Sequence, residues 1–185
     1  YYYNQLRELL TNYGSIFEIW FDGANGGDGW YGGAKEKRTI EHRTYYDFQR
    51  AYDMVKELQP QAIIFSDGGP GCRWVGNEKG VAGTTNWSFL REGVVYAGYP
   101  NYKELTIGHA DGDIWVPAEC DVSIRPGWFY HSNENIAVKT PGQLVDLYYK
   151  SVGRNATLLL NIPADRKGLL GQTDSLNLLE FRKRI

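Results

Sequence analysis

The sequence predicts an α/β fold, namely the C-terminal part of a (β/α)8-like (TIM) barrel. Three observations carry that expectation. Short apolar runs alternate with amphipathic stretches at helical spacing, which argues for a parallel sheet with helices packed outside it. The segments after the first two predicted strands are glycine-rich and acidic, and in such folds the loops after the strands carry the site. A complete eight-stranded barrel takes about 250 residues, whereas this chain has 185. A doubly wound open sheet fits the same alternation.

The chain begins in a helical pattern, Tyr3, Leu6, Leu9, Leu10 and Tyr13, closed by Gly14. Ser15 to Phe21 reads as the first strand, since it is β-branched, aromatic and nearly uncharged. The stretch from Asp22 to Gly33 is too rich in glycine for either regular element. Tyr45, Phe48, Tyr52, Val55 and Leu58 then mark a helix over 44–58, stopped by Pro60. Ala62 to Phe65 is a second strand, followed by a loop opening with Ser66-Asp67-Gly68-Gly69. After a long excursion, Asp113 to Ala118 reads as a third strand or a strand end. Thr140-Pro141 starts a helix as N-cap and first helical residue, with Leu144, Val145, Tyr148 and Val152 on its apolar face. Leu158 to Ile162 is a fourth strand, and 173–184 a final helix. No internal repeat is visible.

Composition removes several function classes. With 42% hydrophobic and 23% charged residues, the chain is neither disordered nor collagen-like. A net charge of −2 offers no global basic field for nucleic acid or an anionic membrane. Its apolar runs fall far short of the roughly 20 residues of a spanning helix. Cys72 and Cys120 cannot build a metal cage by themselves, and the sequence leaves open whether they pair. Fourteen Tyr, seven Phe and six Trp supply flat apolar faces suited to sugars, bases or partner proteins, and acidity argues against bases.

His42, His109 and His131 have no metal-ligand spacing and read as ordinary surface or core residues. Asp22, Asn25 and Asp28 lie three apart, not two apart as in a calcium loop. Asn86-Trp87-Ser88 and Asn155-Ala156-Thr157 fit the glycosylation pattern, which is common by chance. Carboxylates at loop mouths are the better signal. Asp22 follows Ile19-Trp20-Phe21 at a strand end, although Asp-Gly is also a turn pair. Glu78 lies in a loop with Arg73, Trp74 and Asn77, where a solvated glutamate is the plainer reading. Glu119 ends a strand-like run beside Pro117, where a structural pairing with Arg125 is the alternative. An acid pair flanked by tryptophans at a barrel rim suggests glycoside hydrolysis, in which one carboxylate attacks the sugar and a protonated one releases the leaving oxygen.

Four motifs sharpen this reading. Glu18-Ile19-Trp20-Phe21-Asp22-Gly23 resembles the nucleophile motif of family 29 glycoside hydrolases, the α-L-fucosidases. Trp74-Val75-Gly76-Asn77-Glu78 and Trp115-Val116-Pro117-Ala118-Glu119 with Ser123 to Tyr130 are similar to that family too, as is Gly153 to Pro163. The resemblance covers nearly the whole chain in order. It implies a retaining exo-fucosidase on a barrel, with Asp22 as the nucleophile. Gly76-Asn77-Glu78 resembles the branch preferring α-1,3/1,4-linked fucose, in which that glutamate is the general acid/base. In the other branch a glutamate after a tryptophan, near Glu119, is the candidate. Ala118 stands in that tryptophan's place, so Glu78 is favoured and Glu119 is expected to contact substrate.

Trp20 and Trp128 are then expected to pack on the fucose methyl and ring face, a core role being the equal alternative for Trp20, with Arg73 and Trp74 lining the aglycone side. No metal or other cofactor is implied. The expected partners are a fucosylated glycan and the N-terminal half of the same barrel, which would bring further fucose-binding histidines and tryptophans. Residues 1–185 are accordingly read as one part-domain beginning inside a helix, without initiator Met or signal peptide. Compartment is not legible, and periplasmic, extracellular or lysosomal secretion follows from substrate class only. A non-catalytic carbohydrate-binding module and a glycosidase for another sugar are the alternatives.

Overall fold

The structure, a computed structural model, describes residues 1–23, 26–33 and 35–185. Asn25 lies outside the described residues. In chain order the first elements are α1 (Tyr2–Asn12), β1 (Glu18–Trp20), β2 (Gly27–Gly29), β3 (Arg38–Ile40), α2 (His42–Tyr45), α3 (Phe48–Leu58), β4 (Ile63–Ser66) and β5 (Cys72–Trp74). There follow β6 (Phe89–Leu90), α4 (Tyr102–Ile107), β7 (Ile114–Trp115), β8 (Ala118–Ser123), α5 (Pro141–Ser151), β9 (Ala156–Asn161) and α6 (Gln172–Arg184). Five strands form one sheet in the order β1-β4-β5-β8-β9, and each neighbouring pair is parallel.

Local chemistry explains the helices. Leu6 and Leu10, one turn apart, bury the inner stripe of α1, and Gly14 beyond its end takes φ +86. The side chain of Thr140 accepts from the Gln143 N–H while that of Gln143 accepts from the Thr140 N–H, a capping box, and Pro141 fills the first turn. The helix expected over 44–58 is two helices. Glu41 caps α2 by accepting from the N–H groups of Arg43 and Thr44, and Asp47 at φ 49 turns the chain before α3.

The strands also differ from expectation. The third sheet strand is β5 and the fourth β8, and Asp113–Ala118 is neither; β7 within that segment pairs antiparallel with β6 outside the main sheet. Glu119 is therefore an interior strand residue and does not end a run. β5 was read as loop, and β2 within the glycine-rich segment pairs with β3. No helix separates β4 from β5. Residues 67–71 instead loop back so that β5 runs parallel beside the end of β4, with the Ser66 hydroxyl donating to the Gly69 carbonyl and Gly69 at φ +91.

Packing divides the side chains of the sheet between two faces, as strand periodicity requires. On one face Phe21 and Ile64 pack against Leu6, Leu10, Ala51, Met54 and Val55 of α1 and α3. Val122, Leu158 and Leu160 likewise meet Leu144 and Leu147 of α5 and Leu178 and Phe181 of α6. The opposite face holds Glu18, Trp20, Phe65, Cys72, Trp74, Glu119, Asp121 and Thr157, which contact one another. Cys72 sits on this face, whereas Cys120 packs with Val75 and Ala118 on the other; both are free. Asn86 and Asn155 are tied to each other's segments, Asn86 Nδ2 donating to the Asn155 carbonyl and Asn155 Nδ2 to Ser88. Among the described residues no helix is long and apolar enough to cross a membrane.

Candidate active site

A cleft of about 470 Å³ opens where β1, β4 and β5 end, within the ordinary size range of a small-ligand site. Asp22, Asp67, Glu78 and Asp121 line it with Trp20 and Trp74. A groove of about 580 Å³ behind the 67–71 turn has no such carboxylate cluster, so the cleft is the candidate site.

Asp22 is presented by an anchored strand end. The Phe21 N–H donates to the Phe65 carbonyl at 3.1 Å, and the Phe21 ring meets the edges of Phe48 and Tyr52. With Phe21 buried, Asp22 is the first carboxylate after β1 to face the cleft. Asp67 takes the equivalent place after β4, and its carboxylate accepts from the Gly98 N–H at 2.6 Å. Burial raises its pKa, and the charge of Asp22 adds to the rise.

Glu78 depends on the two residues before it. Gly76 adopts φ +84, and a Cβ there would lie 2.3 Å from the carbonyl oxygen of Tyr102. Asn77 closes the turn, donating to the Val81 carbonyl at 2.9 Å and accepting from the Lys79 N–H at 3.1 Å. Glu78, exposed at the tip, accepts from Trp128 Nε1 at 3.2 Å. Trp128 is held in turn by Asn161, which donates to its carbonyl at 3.0 Å.

The tryptophans act as walls. Trp20 lies flat on Phe65, with ring centroids 3.8 Å apart and planes at 7°. Trp74 packs edge-on against Tyr102 and donates to Asp121 at 2.7 Å. Burial pushes the Asp121 carboxyl up to about 6, against the Trp74 bond and helped by the charges of Glu78 and Glu119.

Two residues expected to contact substrate, Arg73 and Glu119, do not line this cleft. Arg73 is fully buried and points away from the cleft. Its guanidinium donates to the carbonyls of Leu105, Val116 and Trp87 and to Asn86 Oδ1, because a buried cation must fill its donors. Glu119 is buried too, with one oxygen accepting from Trp20 at 2.8 Å and the other from Thr157 at 3.1 Å. It does not line the cleft. Nor does it pair with Arg125, which forks onto Asp174 of α6 at 2.5 and 2.9 Å.

Among the described residues Glu18, Cys72 and Glu119 bring ligand atoms within 4.8 Å of one another. Cys72 donates its thiol proton to Glu18, burial holds that thiol protonated, and the Glu119 oxygens are engaged. The three groups are thus engaged with one another and with Trp20 and Thr157.

Sequence reasoning missed Asp121, Asp67 and His42 as cleft residues. Asp67 carried a signal, an acid directly after a strand. Asp121 would have followed from placing β8 correctly, since Glu119 and Asp121 are two apart on one strand. His42 reaches the cleft by packing against Gly26, where a Cβ would meet its ring at 2.2 Å.

Comparison with known proteins gives one consistent result. The family model described as alpha-L-fucosidase matches residues 1–183. Alpha-L-fucosidase 1 of Arabidopsis thaliana is 45% identical over 183 residues, covering 98% of this chain and 33% of its own length. A solved glycoside hydrolase family 29 member from an unknown rumen bacterium is 55% identical at TM-score 0.85, over 97% of this chain and 32% of that one. A family 29 fucosidase from Ruminococcus gnavus, solved with fucose, is 30% identical at TM-score 0.73, over 98% and 36%. The chain thus spans about a third of the length of the curated relatives it matches.

Proposed function

Since the chain belongs to the α-L-fucosidase family, we propose that it carries the catalytic carboxylates of a retaining, exo-acting α-L-fucosidase for terminal α-1,3/1,4-linked L-fucose. The observation supporting this most directly is that Asp22 and Glu78, from different strand ends, face one cleft. A terminal fucose lies against the flat Trp20–Phe65 stack, which suits its methyl group and apolar ring face. Asp22 attacks the anomeric carbon as the glycosidic bond breaks, and Glu78 gives its proton to the departing oxygen. A covalent fucosyl-enzyme results. Glu78 then takes a proton from water, which displaces Asp22 and releases fucose with its configuration retained. Asp121, protonated below about pH 6, offers a hydrogen bond to a sugar hydroxyl.

The sheet is part of a (β/α)8 barrel whose other strands come from an N-terminal half. Trp20, Ile63 and Leu159 are exposed, and among the described residues β1 and β9 each pair on one side only. An N-terminal half would cover these groups.

The test is release of fucose by the full-length protein from an α-L-fucosyl nitrophenol and from a branched α-1,3/1,4-fucosylated trisaccharide, beside glycosides of other sugars. Cleavage of fucosides alone supports the reading. Binding without turnover would make the chain part of a sugar-binding module, and cleavage of another sugar would reassign the pocket. Full activity on the trisaccharide in Glu78→Gln, with loss in Glu119→Gln, would overturn the choice of acid/base.

A further inference from the structure

The loops that follow β8 and β9 frame another groove, of about 580 Å³, on the rim where these strands end. Phe129, Tyr130 and His131 line one side, and Asp165, Arg166 and Lys167 the other. Both sides are built by the fold. Arg125 lies over the Tyr130 ring at 4.4 Å and donates to the His131 carbonyl at 3.0 Å, so the aromatic side is fixed to the buried Arg125–Asp174 pair. Opposite, Asp165 Oδ1 accepts from the N–H groups of Lys167 and Leu169, at 2.8 and 3.0 Å. That carboxylate is tied into its own turn, whereas among the described residues Arg166 and Lys167 enter no ion pair. Phe129 is 78% exposed, although the residue before it is held by Glu78 and Asn161.

We infer that this groove is an aglycone subsite for an acidic sugar, binding a carboxylate or sulfate on the glycan from which fucose is cut. The inference rests on the fucosidase reading above. Glu78 protonates the leaving oxygen, so the remaining sugars extend from the Glu78 side, and Trp128 leads directly from Glu78 to Phe129. An exposed aromatic ring offers a face to a sugar's apolar side. Charge then selects among sugars. The cleft carries Asp22, Asp67, Glu78 and Asp121, which repel an anion, while Arg166 and Lys167 bring the opposite sign to the groove. Guanidinium and ammonium groups bind carboxylate and sulfate oxygens by charge-assisted hydrogen bonds.

The test compares three substrates in the full-length protein: a neutral fucosylated oligosaccharide, the same core bearing a carboxylated sugar, and the same core bearing a sulfate ester. In the Arg166→Ala/Lys167→Ala double variant, kcat/KM on an acidic substrate should fall about tenfold through KM, which corresponds to two modest ion contacts. The neutral substrate should stay within about twofold. Salt at about 0.5 M should narrow the preference of the wild type. Loss confined to the carboxylated or to the sulfated substrate names the source of the charge. An equal fall on all three substrates, or none, overturns the subsite. If the wild type cleaves no fucoside, the fucosidase reading fails, and calorimetric titration with the two acidic glycans decides the subsite separately. Binding that the double variant loses sustains it, and absence of binding overturns it.

Discussion

The indole N–H of Trp20 donates to the buried carboxylate of Glu119 at 2.8 Å. Thr157 holds the other oxygen, so one side chain joins β1, β8 and β9 beneath the cleft. Glu119 thereby fixes the angle at which Trp20 lies on Phe65 and walls the site. Its two oxygens are both engaged within the fold.

Glu119→Ala strands the Trp20 N–H and the Thr157 hydroxyl. Unfolding measurements should show a loss of about 1 kcal/mol, the ordinary net worth of a hydrogen bond, since Trp20 and Thr157 are both partly open to water. Glu119→Gln keeps an oxygen for Trp20 and should retain most stability and activity. Equal losses in both variants would give Glu119 a chemical role.

Gly76→Ala combines φ +84 with a Cβ 2.3 Å from a backbone oxygen. The turn that presents Glu78 must shift, at about 1–3 kcal/mol. If Glu78 is the acid/base proposed above, a shift of about 1 Å is enough for an activity loss near 100-fold. Denaturant unfolding and fucoside kinetics check the two effects, and unchanged kinetics would show that the turn tolerates a side chain.

Asp121 sets a pH dependence. Its carboxyl stands at about 6 in the fold against 3.8 ordinarily, so the folded chain keeps a proton that the unfolded chain releases. That stabilisation is complete below about pH 4 and fades as pH rises through about 6. Asp121→Asn preserves an acceptor for Trp74 and removes the titration. The stability of wild type relative to the variant should therefore fall across this window and level off above it. A difference independent of pH would contradict the assignment.

Arg125 and Asp174 are both fully buried. Asp174→Ala leaves a guanidinium without its partner, so the unfolding free energy should drop by about 3–5 kcal/mol. Asp174→Asn retains hydrogen-bond acceptance and should lose less. Thermal unfolding of the two variants distinguishes charge from hydrogen bonding.

Asp22 was legible because two independent signals coincide there, a β-rich run and an acid at its end. The capping pattern at Thr140 and Pro141 fixed α5 for the same reason. β5 was not legible, since Arg73 in its centre reads as a loop residue. Only the fold brings the carbonyls of Leu105, Val116 and Trp87 around that cation. Pairing of β7 with β6 drew the apolar signal of Ile114 and Trp115 out of the main sheet, which hid β8 and with it the shared face of Glu119 and Asp121. Local pattern could not reveal Asp174 as the partner of Arg125, since 49 residues separate them.

The most direct measurement is azide rescue of Asp22→Ala in the full-length protein, on an α-L-fucoside with an activated leaving group. Removal of the nucleophile should abolish turnover, and azide occupying its place should restore it with β-L-fucosyl azide as the product. Glu78→Gln should remain fully dependent on leaving-group acidity and yield no azide product of that configuration by replacing Asp22. Undiminished activity in Asp22→Ala, or an α-configured azide, would contradict the assignment of Asp22 as the group that attacks fucose.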